Sequence, residues 1–176
     1  GWIDDHLICI EDKERYKIVK NISENFSRCL PALKSFNRQV IQNDPNDYNI
    51  LVSGDYDEKK TLSGIIDFGD MCTSPRVCEI AIAGAYIVLE TPHPEKSLVA
   101  LVSGFNRTCP LSTPEIDLIW DLLLMRLAVS VVNSTMLAIE FPNDPYVTVS
   151  QKPAWDFLEN NKINQELLKC RLRKAC

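Results

Sequence analysis

Three short runs of strand-forming residues lie between residues 38 and 70, in the stretch RQVIQNDPNDYNILVSGDYDEKKTLSGIIDFGD. The runs cover 39–41, 50–52 and 62–66, and each is bounded by Gly, Asn, Asp or Pro. Because Gly54 and Gly64 can adopt positive φ, we expect the second and third runs to form a hairpin with a charged, exposed tip. The stretch predicts a small β element that fixes whatever lies at the ends of its strands.

Three oxygen-bearing side chains stand at those strand ends. Asp44 precedes Asn49 by five residues, and the hairpin should bring Asn49 close to Asp67. Phosphoryl transfer from a nucleotide requires a carboxylate that orients and deprotonates the attacking hydroxyl, together with oxygen ligands for magnesium. Asp44 suits the first role, and Asn49 and Asp67 suit the second.

The same residues carry a family resemblance. Asp44-x-x-x-x-Asn49, followed by IDFGD at 66–70, resembles the catalytic and metal-binding loops of the aminoglycoside phosphotransferase and choline kinase group, which has the protein-kinase-like fold. The stretches VIQNDPNDYNILV and SGIIDFGDMCTSPRVCEIAIAGAYIVL are similar to those of the hydroxylysine kinase branch and of kinase-like domains fused to class III aminotransferases. The similarity is tight between residues 40 and 86 and extends from about residue 2 to residue 90.

The resemblance implies a role for each of these residues. Asp44 would be the catalytic base, and Asn49 and Asp67 would be the Mg²⁺ ligands. The phosphoryl donor would be GTP or ATP, with GTP favoured. The acceptor would be an amine-bearing alcohol: 5-hydroxylysine is favoured, and an aminoglycoside or a choline-like alcohol comes next.

The sequence departs from the family pattern in two ways. The family usually has His two residues before the base, where this chain has Gln42. The Gln could replace the hydrogen bonding by which that His scaffolds the loop, and the alternative is an altered loop geometry and a lower rate. Kinase-like enzymes also carry a glycine-containing loop and a strand Lys paired with a helical Glu. Nothing before residue 38 resembles that lobe. A catalytically inactive binding or regulatory module is therefore the alternative to an enzyme.

Four further residues are candidates for substrate binding. Asp47 and Tyr48 lie between the base and the first metal ligand and could line the acceptor pocket. Asp70 could contact the metal shell or a substrate ammonium, and Glu79 lies on the helix behind it; for both, a structural hydrogen bond is the alternative. Arg76 could neutralise Asp67 or Asp70, or cap the edge of the sheet.

Composition excludes several other classes of protein. A net charge of -5 and a pI near 5.1 argue against a nucleic-acid surface and suit an amine substrate. Seven cysteines without a C-x-x-C pair argue against a disulfide framework and a zinc site, and favour a cytoplasmic protein with reduced thiols. Neither of the two histidines belongs to a hydrolase or metal motif, and no P-loop is present. The oligomeric state cannot be inferred from the sequence.

The rest of the chain predicts helices. An amphipathic helix over 11–30, ending near Pro31, should pack beneath the catalytic loop. A buried helix over 75–90 should begin with Ser74 as N-cap, and a short helix should follow over 95–106. The apolar segment 116–139 reaches membrane-spanning length, but its interrupting polar residues favour a buried core helix. A last amphipathic helix is predicted over 155–172.

Together these features predict a mainly helical α+β fold, a protein-kinase-like C-terminal lobe with a small β-hairpin element. We divide it into a helical lead-in (1–37), the catalytic and metal-binding loops (38–70) and a helical subdomain (71–176). An N-terminal nucleotide-binding lobe is expected to be absent, and this chain alone is expected to be inactive.

Overall fold

The computed structural model describes residues 1–54, 59–89, 91–149 and 151–176. Its strands form two separate antiparallel pairs at one edge of a helical body, so the mainly helical α+β class is confirmed. The elements in chain order are α1 (Trp2–His6), a 3-10 helix (Leu7–Cys9), α2 (Lys13–Ser35), β1 (Arg38–Ile41), β2 (Ile50–Ser53), β3 (Thr61–Ile65), β4 (Cys72–Pro75), α3 (Arg76–Ile87), α4 (Pro94–Thr108), α5 (Thr113–Glu140), a second 3-10 helix (Pro145–Thr148), α6 (Gln151–Asn160) and α7 (Gln165–Ala175).

Helix α5 is the centre of the core. By length and composition alone it could cross a membrane, but α2, α3, α6 and α7 all pack against it. Its fully buried side chains include Ile119, Leu123, Val131 and Val132. The prediction of a buried core helix is therefore confirmed.

An ion pair joins the beginnings of α3 and α5. Arg76 donates from Nε to Glu115 Oε1 (3.0 Å) and from Nη2 to Glu115 Oε2 (3.1 Å). The Glu115 carboxylate also accepts from the backbone N–H and the hydroxyl of Ser112, at 2.8 and 2.7 Å. Arg76 therefore neither neutralises the loop carboxylates nor caps the sheet edge, as the sequence had suggested, because its partner lies in the first turn of α5.

Helix α2 differs from its prediction in length and in position. It continues through Pro31 to Ser35, since Leu33 and Phe36 pack against the core and offset the hydrogen bond that Pro31 cannot donate. It packs mainly on α5. The helix that supports the loop between β1 and β2 is instead α3, as described below.

Strands β2 and β3 form the predicted hairpin, with Ile50 opposite Ile65 and a bulge between Leu51 and Val52. The predicted charged tip, residues 55–58, lies outside the described residues. Strand β4 was not predicted: it pairs with β1, with Gln39 opposite Ser74. Ser74 is therefore a strand residue rather than an N-cap, and α3 begins at Arg76. Pairing with β1 outweighs the weak strand propensity of the sequence CTSP.

The predicted C-terminal helix is two helices. Asn164 interrupts it and caps α7 by accepting a hydrogen bond from the backbone N–H of Leu167 at 3.0 Å. Trp155 on α6 is buried where α6 packs on α5, whereas Leu168 and Leu172 are buried where α7 meets α4 and α5. The break lets the two segments cover different parts of the core.

Candidate functional site

The loop between β1 and β2 holds Asp44 and Asn49 in a fixed arrangement. Asn43 adopts a φ of 70°, a conformation that Asn tolerates better than most residues, and turns the chain directly after β1. The carboxylate of Glu79 on α3 then accepts the backbone N–H of Gln42 (3.3 Å) and of Asn43 (2.8 Å). Glu79 thus has the structural hydrogen bonds that were the alternative to a substrate contact.

Gln42 connects the Asp44 loop to the Asp67 loop. Its side-chain carbonyl accepts the backbone N–H of Asp44 at 2.8 Å. Its amide nitrogen donates to the backbone carbonyls of Asp67, at 2.7 Å, and of Ile66, at 3.4 Å. Gln42 is buried, and its hydrogen bonds join the two loops.

Each oxygen of the Asp44 carboxylate accepts two hydrogen bonds. Oδ1 accepts from the Tyr86 hydroxyl at 2.7 Å and from Arg126 Nη2 at 3.2 Å. Oδ2 accepts from the amide nitrogens of Asn46, at 2.8 Å, and Asn49, at 3.1 Å. The half-buried carboxylate is therefore held by groups from its own loop, from α3 and from α5.

Tyr86 and Arg126 reach Asp44 because α3 approaches α5 closely. At Gly84, two residues before Tyr86, an added Cβ would lie 2.9 Å from Leu98 Cδ1 on α4 and 3.1 Å from Leu123 Cδ1 on α5, so these leucine side chains would have to shift to admit a larger residue. Arg126 Nη2 also donates to the Tyr86 hydroxyl at 2.7 Å.

The Tyr86 hydroxyl is a neutral hydrogen-bond donor. Burial raises the pKa of Tyr86 to about 12; the nearby Arg126 charge opposes this rise, and the hydrogen bond to Asp44 adds to it. The phenol therefore keeps its proton at physiological pH and can donate it to the carboxylate.

The hairpin places Asn49 next to the Asp67 loop. The backbone N–H of Ile66 donates to the carbonyl of Asn49 at 2.9 Å, so the residue before Asp67 pairs directly with Asn49. Asn49 is buried, and its amide nitrogen donates to the backbone carbonyl of Asp44 at 2.9 Å as well as to its carboxylate. Asp67 is exposed, has a φ of 57° and accepts the Gly69 N–H on Oδ1 at 3.3 Å.

The other candidate residues lie at the surface around this loop. Asp47 and Tyr48 are exposed between Asp44 and Asn49, with Tyr48 78% accessible, and Asp70 is exposed after the Asp67 turn. No side-chain hydrogen bond of these three is described, so their carboxylates and hydroxyl are open to solvent or ligand.

Comparison with known proteins identifies the family. A family model described as "Phosphotransferase enzyme family" matches residues 3–108. The chain belongs to this phosphotransferase family. The match includes both loops and α3, and it confirms the resemblance seen in the sequence.

The relatives that match this phosphotransferase chain include hydroxylysine kinases. The protein of Danio rerio is 32% identical over 138 residues, which are 77% of this chain and 39% of that protein. The proteins of Xenopus laevis and Mus musculus are 29% and 26% identical, over 85% and 89% of this chain and 42% and 43% of their own lengths. The chain thus spans about two fifths of these relatives. No solved structure matches it significantly.

Sequence reasoning missed three residues that contact the Asp44 carboxylate: Asn46 in the loop, Tyr86 on α3 and Arg126 on α5. Asn46 could have been found, because Asn in a turn commonly accepts backbone N–H groups, as it does here from Tyr48 and Asn49. Arg126 also had a signal, since it is the single basic residue of the apolar helix α5. Tyr86 had none beyond its place on a helix near the motif.

Proposed function

We propose that this chain is the C-terminal lobe of a small-molecule kinase that transfers the γ-phosphoryl group of a nucleotide to a hydroxyl of an amine-bearing acceptor. The observation that carries the proposal is the hydrogen-bonded loop in which Gln42 joins Asp44 to the Asp67 turn and the Asn49 amide donates to the Asp44 carboxylate. In a chain of the phosphotransferase family, this arrangement supports Asp44 as the base that accepts the hydroxyl proton.

The residues present fit a magnesium ion. The Asn49 amide nitrogen is committed to Asp44, which leaves its carbonyl oxygen as an acceptor, and Asp67 offers an exposed carboxylate. The described part of the chain has no group of three or more His, Cys, Asp or Glu that could hold a metal. Two protein ligands suit Mg²⁺, which commonly takes its other ligands from substrate phosphates and water. When bound, the ion would neutralise charge on the nucleotide phosphates.

For the acceptor we propose 5-hydroxylysine, because the relatives that cover most of this chain are hydroxylysine kinases. The exposed carboxylates of Asp47 and Asp70 could bind its ammonium groups, and Tyr48 could line the same pocket. We propose GTP as the donor, with ATP as the alternative nucleotide. A cytoplasmic location would suit these substrates.

We propose that a nucleotide-binding lobe covers the β edge. The hairpin and the turn after it expose large apolar side chains, including Val52 (56% accessible), Leu62 (61%) and Phe68 (57%). Exposed apolar patches of this kind mark interaction surfaces. A lobe packed on this surface would cover Asn49 and Asp67 and enclose the nucleotide phosphates there. Turnover would then require that lobe.

Calorimetric titration with GTP and ATP tests this function. We expect binding to a form of the protein extended upstream by its own coding sequence, and we expect removal of Mg²⁺ to weaken it at least tenfold. The 176-residue chain alone should bind neither nucleotide measurably. If the folded extended form also fails to bind, the inactive binding or regulatory module becomes the better account.

Substitution of Gln42 tests the geometry of the loop. We expect Gln42→Ala to lower kcat about ten- to hundredfold, because it frees the Asp44 loop from the Asp67 loop and displaces the base. Gln42→His, which restores the usual family residue, should stay within about fivefold of the wild type. Gln151→Ala is the matched control, since Gln151 bonds to Thr135 away from the loop. Wild-type turnover of Gln42→Ala would refute the scaffolding role.

A further inference from the structure

The Asp44 carboxylate has no unoccupied lone-pair position in this structure. A carboxylate offers about four acceptor sites, and Tyr86, Arg126, Asn46 and Asn49 donate to them. An acceptor hydroxyl that gives its proton to Asp44 must therefore displace one of these donors.

Arg126 is the donor that can leave. Its contact with Asp44 is the longest of the four at 3.2 Å. Asn46 and Asn49 are fixed within the loop by further hydrogen bonds, and Tyr86 contacts Asp44 at 2.7 Å. The Arg126 side chain is 29% accessible, and its Nη2 also donates to the Tyr86 hydroxyl at 2.7 Å, a bond that does not involve Asp44.

A displaced Arg126 needs another anion. It is a partly buried cation whose guanidinium lies 5.6 Å from the Tyr86 ring centroid, and Asp44 is its only ion-pair partner among the described residues. Only Nη2 of its guanidinium has a described hydrogen bond. When Nη2 releases Asp44, its freed N–H and a neighbouring guanidinium N–H can bind a planar carboxylate through two parallel hydrogen bonds. An acceptor without an anionic group would leave this charge unpaired.

The same face of α5 continues with polar side chains. Ser130 and Asn133 follow Arg126 by four and seven residues, which places all three on one side of the helix. Asn133 is exposed and Ser130 half-buried, and in the described part of the chain Ser130 and Asn133 have no side-chain hydrogen bond. They offer further hydrogen-bonding groups beside Arg126.

We propose that Arg126 recognises a carboxylate of the acceptor, and that the enzyme therefore selects hydroxyl-bearing amino acids over amino alcohols without a carboxylate. This inference rests on the proposed kinase function. The acceptor carboxylate replaces Asp44 as the partner of Arg126, and the acceptor hydroxyl takes the vacated position on Asp44 Oδ1.

The test compares two acceptors that differ in one group: 5-hydroxylysine and its decarboxylated counterpart, 1,5-diaminopentan-2-ol. In the full-length protein we expect Arg126→Met to raise the KM for hydroxylysine about ten- to hundredfold, as for the loss of a charge-assisted hydrogen bond. The KM for the diamine should not rise, because the diamine has no carboxylate for Arg126 to bind and the substitution removes the charge that it leaves unpaired. Loss of a contact to Asp44 would alter kcat for both acceptors by a similar factor, so the difference in KM isolates the carboxylate.

Arg126→Lys and Arg173→Met complete the set. Arg126→Lys keeps the charge and should retain part of the preference for hydroxylysine. If circular dichroism shows that Arg126→Met does not fold, Arg126→Lys is compared with the wild type instead. Arg173→Met removes a cation that pairs with Asp117 on the surface and should leave both KM values unchanged. Equal changes in KM for the two acceptors would overturn the role of Arg126 but not the kinase function. If the wild-type protein phosphorylates neither acceptor, both proposals fall.

Discussion

Asp44→Asn is expected to lower kcat of the full-length protein by about a hundredfold to ten-thousandfold, the usual contribution of a general base. The amide cannot accept the hydroxyl proton. Its NH₂ group would also replace a carboxylate oxygen that accepts hydrogen bonds, and so would face the donors of that oxygen. Magnesium-dependent nucleotide binding should persist, since Asn49 and Asp67 are unchanged. Initial rates at saturating acceptor and nucleotide measure the effect.

Controls for this substitution separate chemistry from folding. Asp5→Asn makes the same change at an exposed position on helix α1 and should leave kcat unchanged. The thermal midpoints of the wild type and both variants should agree within a few degrees. Turnover of folded Asp44→Asn within threefold of the wild type would show that another group is the base.

Glu115→Ala is expected to lower the free energy of unfolding of the chain by about 3 kcal/mol, the low end of the range for breaking a buried ion pair. Glu115 is 6% accessible and Arg76 31% accessible, so the unpaired guanidinium would be partly solvated. The substitution also removes the acceptor for the Ser112 N–H at the beginning of α5. Urea unfolding measures the difference.

The pH dependence of stability checks the same ion pair. Burial raises the pKa of Glu115, but the hydrogen bonds from Arg76 and Ser112 outweigh it and hold the pKa below its ordinary value of 4.5. The stabilisation is therefore present above pH 4.5 and is lost as the pH falls through the folded-state pKa. Glu115→Ala should lack this part of the acid dependence.

Glu14→Ala, at a site 79% accessible, is the control for Glu115→Ala and should change the free energy of unfolding by less than about 0.5 kcal/mol. An equal loss in both variants would contradict the account.

The features that the sequence predicted correctly depend on local signals. The hairpin follows from two β-prone runs separated by turn residues, and α5 follows from the long apolar segment 116–139. The features that it missed depend on tertiary contacts. Strand β4 exists because β1 pairs with it, and α2 continues past Pro31 because residues beyond it are buried.

In the candidate site too, the residues with a local sequence signal were predicted and those placed by tertiary contacts were missed. Asp44, Asn49 and Asp67 were found because they lie within one short stretch with a recognisable spacing. Arg126 contacts Asp44 across 82 residues, and no local pattern encodes the close approach of α3 and α5 that brings them together. The one signal for Arg126 in the sequence was that it is the single basic residue of an apolar helix.

The central claim is that the full-length protein forms a phosphate ester on the hydroxyl of an amine-bearing alcohol. Its most direct test is to incubate the protein with GTP, Mg²⁺ and 5-hydroxylysine and to identify the product by phosphorus NMR and mass spectrometry. We predict an O-phosphorylated amino acid and one equivalent of GDP, with neither formed at a comparable rate by Asp44→Asn. Free phosphate without a phosphorylated acceptor, or equal product from Asp44→Asn, would contradict the account.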